Sequence, residues 1–151
     1  MTEQQCEYLI VGAGLAGAAA IEGIRERDRV GSITMIGAEN HLPYDRPPLS
    51  KKLWLGKTEV KDLFVHDQAF YDQNGVSFLP GRRVVSLDAR SSTATNDRGQ
   101  GYRFEKLLLA TGGAPRHLPV PGGEMDGVCY FRTLDDLRRA ALSRPQCAVV
   151  D

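Results

Sequence analysis

The chain has no apolar run of the roughly eighteen residues that a bilayer crossing needs. Its opening Met1-Thr2-Glu3-Gln4-Gln5 lacks the basic and apolar regions of an export signal. A cytoplasmic protein with no membrane partner is expected. Net charge is absent too: 19 basic and 19 acidic residues cancel, so the overall field favours neither nucleic acid nor an anionic surface, and no nucleic-acid partner is expected. Cysteine is scarce. Cys6, Cys129 and Cys147 form an odd, scattered set without a CxxC, which argues against a disulfide framework and a redox dithiol and leaves them as small buried hydrophobes. His41, His66 and His117 show no metal-ligand spacing with these cysteines or with each other, so no metal is expected. Internal repeats and low-complexity segments are also missing. With 151 residues, 42% of them hydrophobic and 25% charged, the chain can bury one core of ordinary size.

What is present begins almost at once. Tyr8-Leu9-Ile10-Val11 runs into Gly12-Ala13-Gly14-Leu15-Ala16-Gly17 and then into an alanine-rich segment ending near Asp28. The order is strand, glycine turn, helix. A helix N-terminus presents unpaired backbone N–H groups and a partial positive charge, so a diphosphate can sit against Gly14, Leu15, Ala16 and Gly17 without a cationic side chain. Gly12 permits the tight reversal, Gly14 has no Cβ to block a pyrophosphate, and Gly17 lets the helix approach the sheet. Kinase phosphate loops share this glycine spacing, so the context decides. A second apolar strand, Ile33-Thr34-Met35-Ile36, ends just before Glu39. Glu39 follows the last glycine at the spacing of about twenty residues where a carboxylate accepts both hydroxyls of an adenosine ribose and repels a 2′-phosphate. The competing reading is a solvated surface acid.

The next block, His41 to Gly56, contains Pro43-Tyr44-Asp45-Arg46-Pro47-Pro48-Leu49-Ser50-Lys51. Adjacent prolines fix an extended, stiff approach, after which a short helix from Leu49 to Leu55, stopped by Gly56, is expected. Arg46 and Lys51 are then cations on a rigid element, suited to a diphosphate and to an electron-rich ring edge. Solvated charges on a proline-rich turn are the alternative.

Further on, Asp62 to Asn74 reads as a loop and a helix with Phe70 and Tyr71 inward, ended by Asn74-Gly75, and Val76 to Leu79 as a short strand. From Arg82 to Phe104, short alternating runs broken at Asp97-Arg98-Gly99-Gln100-Gly101 predict a β-meander. Leu107 to Ala110 is a continuous apolar run, expected of a strand buried on both faces, and it ends in Thr111-Gly112-Gly113. Pro119, Pro121, Gly122 and Gly123 mark a connection; Val128 to Phe131 predicts a strand, Thr133 a helix cap with the helix running through Leu142, and Cys147 to Asp151 a last apolar strand.

GAGLAG, Glu39, PYDRPPLSKKLW and Leu107-Leu108-Leu109-Ala110-Thr111-Gly112-Gly113-Ala114-Pro115-Arg116 together resemble the FAD-dependent pyridine nucleotide-disulfide oxidoreductases. Within them the chain is most similar to the branch holding ferredoxin reductases, rubredoxin reductases and apoptosis-inducing factor. The resemblance covers essentially the whole chain, and the RPPLSK and ATGGAPR blocks are far more specific than the glycine turn. It implies an α/β fold: a three-layer Rossmann-like FAD-binding domain with a parallel sheet, helices on one face and a β-meander on the other, truncated. Residues 1–118 would form the FAD-binding part, and residues 119–151 the connection and first strand-helix-strand of a truncated NAD-binding domain.

The same resemblance implies roles. Arg46 and Lys51 would contact FAD, with Lys51 near the flavin's reactive edge as the catalytic residue. Backbone at Val84 would meet the adenine, although a simple core valine competes. Ala110, Thr111 and Gly112 would cross close to FAD, and Arg116 would lie on the flavin side, unless it is only a surface charge after a turn. Electrons would pass from NADH through FAD to a small iron–sulfur protein of ferredoxin or Rieske type. No second glycine turn for NADH occurs in the sequence, so a chain with little or no turnover of its own is expected, either naturally short or deliberately shortened. A non-catalytic FAD-binding module or inert fragment is the alternative.

Overall fold

The computed structural model describes residues 3–142. The chain divides into two compact units, Met1–Asp45 with Phe64–Gly112, and Arg46–Leu63 with Gly113–Asp151.

In the first unit the described residues build a six-stranded sheet in the order β3-β2-β1-β6-β5-β4. Its strands are β1 (Gln4–Val11), β2 (Ile33–Ile36), β3 (Val76–Leu79), β4 (Val84–Asp88), β5 (Thr93–Asn96) and β6 (Gly101–Leu109), with helices α1 (Leu15–Arg27) and α2 (Gln68–Gln73) in the crossovers. Every residue of β2 is buried, as an apolar run covered on both faces should be. β1 is parallel to β2, with Tyr8 opposite Ile33 and Val11 opposite Ile36. On its other side β1 is parallel to β6, from Gln4 opposite Tyr102 to Val11 opposite Leu109. β6 also pairs antiparallel with β5 at Gly101, Tyr102 and Arg103, so the meander grows out of the parallel sheet through one long strand.

Two apolar clusters lie on the two faces. Ile10, Ile21, Ile33, Met35, Tyr71 and Val76 pack the helix side. Cys6, Leu9, Val11, Ile36, Ala94, Tyr102 and Phe104 pack the meander side. Each fully buried side chain of this size contributes about 1.5–3 kcal/mol relative to exposure. Asn96 is buried yet satisfied: its Nδ2 donates to the Tyr102 hydroxyl at 2.9 Å, while its Oδ1 accepts the Arg98 and Gln100 N–H groups at 3.0 Å each. That side chain closes the β5–β6 turn. Arg25, in the last turn of α1, donates to the carbonyl of Asn74 at 2.9 and 2.7 Å and fastens the end of α1 to the end of α2.

The second unit holds 3₁₀ turns at Pro47–Ser50 and Val60–Leu63 and helix α3 (Leu134–Leu142). Trp54 meets Phe131 edge-on with ring centroids 5.9 Å apart. Thr133 caps α3 as its position implied: its Oγ1 accepts the Asp136 N–H at 3.1 Å, and Asp136 returns the contact by accepting the Thr133 N–H at 2.7 Å. Burial works to raise the Asp136 carboxyl, but hydrogen bonds from Thr133, Arg132 and Arg139 outweigh it and hold the group below the usual carboxylate range.

Four expectations from sequence are corrected. The helix from Leu49 to Leu55 is instead the 3₁₀ turn Pro47–Ser50 followed by further turns. Pro47 and Pro48 are tolerated in its first turn, but Lys51 at φ −122°, ψ −100° leaves helical geometry, and Gly56 at φ +69° ends the segment. Val128 to Phe131 is not a strand, because the segment joins no ladder among the described residues and is tied instead by the Tyr130 hydroxyl, which accepts the Leu118 N–H at 2.8 Å. Leu107 to Leu109 is not covered on both faces: Leu108 and Leu109 are 40% and 57% exposed, at the end of β6 that pairs with β1 but not with β5. Cys6 is buried but Cys129 is exposed. The strand expected from Cys147 to Asp151 lies outside the described residues.

Tyr71 yields a test of the helix-side core. It is fully buried against Phe70 and Phe78, and its hydroxyl has no hydrogen-bond partner among the described residues. Burial, with the Glu22 charge adding to it, pushes the phenol up to about 12. A raised pKa means stability that is complete below the unfolded value of about 10 and is lost as pH rises from there toward the folded value. Tyr71→Phe should therefore remove this alkaline loss and cost no more than about 0.5 kcal/mol at neutral pH. Denaturant midpoints between neutral and alkaline pH measure both, and an unchanged alkaline loss in the variant contradicts the assignment.

Candidate functional site

At the C-terminal edge of the first unit's sheet, backbone hydrogen bonds stitch the strand ends together. The Gly12 N–H donates to Ile36 O at 2.8 Å, Ala110 N–H to Val11 O at 2.8 Å, and Gly37 N–H to Leu79 O at 3.0 Å. One loop further out, the Gly81 N–H donates to Glu39 O at 3.0 Å and the Arg82 N–H to Gly37 O at 2.8 Å. The chain leaves β1 toward β2 on one side while β6 lies on the other, so the order reverses between β1 and β6. In open α/β sheets the ligand crevice lies outside the carboxyl ends of the strands at this reversal.

The glycines there are not equivalent. Gly12 sits at φ +116°, and a Cβ on it would drive into the Ala110 carbonyl oxygen. A Cβ on Gly17 would meet the carbonyl oxygen of Gly12, so the first turn of α1 lies directly on the glycine turn. Around Gly14 a Cβ would find nothing within 4 Å. Two glycines are thus required by the protein's own backbone, whereas the third borders open space. Leu15 and Ala16 are exposed at the start of α1, whose first intrahelical bond runs from the Ala18 N–H to Gly14 O at 3.0 Å. No side chain caps this end and no acidic residue occupies its first turn. Among the described residues, neither a capping side chain nor a first-turn acid offsets the positive end of this helix, and its N–H groups with the space over Gly14 fit a diphosphate.

Glu39 is half-buried on the loop after β2, and its carboxylate accepts a hydrogen bond from the Tyr44 hydroxyl. Val84 opens β4 opposite Asn96, where the ladder bulges before Ser86. Ala110 follows β6, and Thr111 and Gly112 are exposed beyond it, Gly112 at φ +67°. The first unit thus brings Gly12, Gly14, Leu15, Ala16, Gly17, Glu39, Ala110, Thr111 and Gly112 to one edge, with Val84 at the start of the meander. Arg46, Lys51 and Arg116 belong to the second unit. There the Arg46 Nη1 donates to the Arg132 carbonyl at 3.0 Å, Lys51 is exposed after the 3₁₀ turn, and Arg116 is exposed. Sequence reasoning passed over Tyr44, which stands five residues after Glu39; an aromatic hydroxyl at the foot of the proline block was the available signal.

The sheet order, the crossover helix and the glycine turn together define a Rossmann-like α/β protein. The chain belongs to the pyridine nucleotide-disulphide oxidoreductase family, whose model matches residues 6–150. It is 36% identical over 130 residues to a rubredoxin-NAD(+) reductase of Pseudomonas putida, covering 86% of this chain and 34% of that protein. It is 41% identical over 142 residues to the ferredoxin–NAD(+) reductase component of an anthranilate 1,2-dioxygenase system from Burkholderia cepacia, covering 91% and 34%. Among solved structures, a ferredoxin reductase from Rhodopseudomonas palustris superimposes with a TM-score of 0.82 at 32% identity, covering 90% of this chain and 33% of that one. The chain therefore spans about a third of the length of the relatives it matches.

The contrast among the three glycines is open to measurement. Gly12→Ala and Gly17→Ala should each destabilise the fold by about 2 kcal/mol or more, because their Cβ atoms strike backbone oxygens. Gly14→Ala, at a helix N-cap beside open space, should cost less than about 1 kcal/mol while weakening dinucleotide binding. Chemical denaturation with dinucleotide titration separates these, and a Gly14→Ala loss of stability equal to that of Gly12→Ala contradicts the assignment.

Proposed function

We propose that this chain is the FAD-binding part of an NADH-dependent reductase that passes electrons to a small iron–sulfur protein. The observation that carries this reading is the uncapped, acid-free N-terminus of α1 beside the open space at Gly14, with Glu39 on the same sheet edge. The similarity to reductases of ferredoxin and rubredoxin supports the electron acceptor, and a solved covalent complex of putidaredoxin reductase with putidaredoxin, whose reductase is 31% identical to this chain, supports direct docking of such a protein. Residues 1–118 are proposed as FAD-binding and 119–151 as the connection toward a nicotinamide-binding domain.

Each residue then has a task. The N–H groups at Leu15 and Ala16 take the diphosphate with no side-chain cation, Gly14 keeps clear the space it needs, and Glu39 accepts the adenosine ribose hydroxyls and repels a 2′-phosphate. Val84 offers backbone to the adenine. Ala110, Thr111 and Gly112 let backbone run close beside the cofactor, and Arg46 and Arg116 supply cations to it. Lys51 stabilises negative charge at the flavin's reactive edge. When bound, FAD would supply the redox chemistry, taking up one hydride, two electrons, and giving those electrons up one at a time, while the protein positions and tunes it.

The purified chain should take up FAD and show a flavin visible spectrum, with little NADH-driven dye reduction. A chain that stays colourless after FAD supplementation contradicts the proposal. In a reductase that joins this chain to a nicotinamide-binding domain, Lys51→Ala should slow flavin reduction by about tenfold or more while changing FAD affinity much less. Stopped-flow reduction at an unchanged rate removes the catalytic role of Lys51.

A further inference from the structure

Tyr44 is 4% exposed, and its hydroxyl donates to Oε2 of Glu39. The residues on either side of that contact are fixed by backbone bonds. Glu39 O accepts the Gly81 N–H at 3.0 Å, Tyr44 bridges Phe64 in an antiparallel pair, and the Val65 N–H donates to Pro43 O at 2.9 Å. Pro43 is buried and locks its own backbone, and the His41 ring stands edge-on to Tyr44 with centroids 6.4 Å apart. The phenol is therefore a donor on a rigid mount, aimed at a carboxylate on the ligand edge of the sheet.

A glutamate on a loop has three rotatable side-chain bonds, and freezing them on ligand binding costs affinity. A fixed hydrogen bond to an ionised oxygen removes most of that cost beforehand, and it is of the stronger, charge-assisted kind. A buried tyrosine needs only one partner, and a backbone carbonyl would serve; here the partner is the residue assigned to the ribose.

We propose that Tyr44 is a positioning residue for the adenosine half of the cofactor, holding the Glu39 carboxylate in the orientation that accepts the ribose hydroxyls. The inference rests on the reading of Glu39 as the ribose acceptor. Tyr44→Phe keeps the packed ring and removes only the donor. In the purified protein it should lower equilibrium affinity for FAD and for ADP alike by about fivefold, the effect of losing one positioned hydrogen bond. In a Glu39→Ala background the same substitution should produce no further loss, a non-additivity that a general weakening of the fold would not give. Full affinity in Tyr44→Phe while Glu39→Ala weakens binding overturns the role of Tyr44 alone, and so does a full additive loss in the double variant. Unchanged affinity in Glu39→Ala overturns the ribose reading and the inference with it. A Tyr44→Phe chain that fails to fold, seen by circular dichroism, assigns the hydroxyl to the fold and overturns the proposal as well.

Discussion

The backbone of Gly12 cannot be given a side chain, and the first unit is arranged around that fact. Its N–H is held by Ile36 at the end of β2, the Ala110 carbonyl after β6 occupies the place of its missing Cβ, and its own carbonyl sits where a Cβ on Gly17 would be. Two neighbouring strand ends and the first turn of α1 converge on one residue. Any larger residue would part the turn from Ala110 or lift α1 from the turn, and the strand-end edge would lose the close backbone spacing that exposes helix N–H groups to a ligand. Packing on both faces of the sheet then fixes the strands whose ends are held here.

Much of this was legible in the sequence because its local rules agree. β2 was readable as a β-branched and apolar run, Ile33-Thr34-Met35-Ile36, α1 as an alanine-rich run after three glycines, α2 by its Asn74-Gly75 end, and α3 by Thr133, since each pattern is satisfied within a few residues. Less legible were segments whose state depends on distant partners. Leu107 to Leu109 read as buried on both sides, yet covering both faces needs layers packed above and below the strand, and at this end β6 pairs with β1 while β5 joins only its opposite end. Val128 to Phe131 has strand-forming composition but joins no ladder among the described residues. The Pro47-Pro48 segment stopped as a 3₁₀ turn because the backbone at Lys51 leaves helical φ and ψ.

The candidate site shows the same division. Gly12, Gly14, Gly17 and Glu39 stood out because the proposed phosphate and ribose contacts would need only backbone access and one carboxylate at fixed spacing. Which atoms a Cβ at each glycine would meet, backbone oxygens at Gly12 and Gly17 and open space at Gly14, came only from the fold. So did the bond from Tyr44, because a hydroxyl five residues away is one of many donors in a sequence and a single fixed donor in the fold. Arg46 shows the reverse: expected to face the cofactor, its guanidinium also donates to the Arg132 carbonyl, a partner 86 residues away that no local pattern announces.

The central claim is that a dinucleotide diphosphate rests on the N-terminus of α1 over Gly14. A crystal structure of the protein with FAD tests it most directly. The account predicts phosphate oxygens within hydrogen-bonding distance of the Leu15 or Ala16 N–H and the adenosine ribose on the Glu39 carboxylate. A bound FAD whose phosphates make no contact with this turn would contradict it.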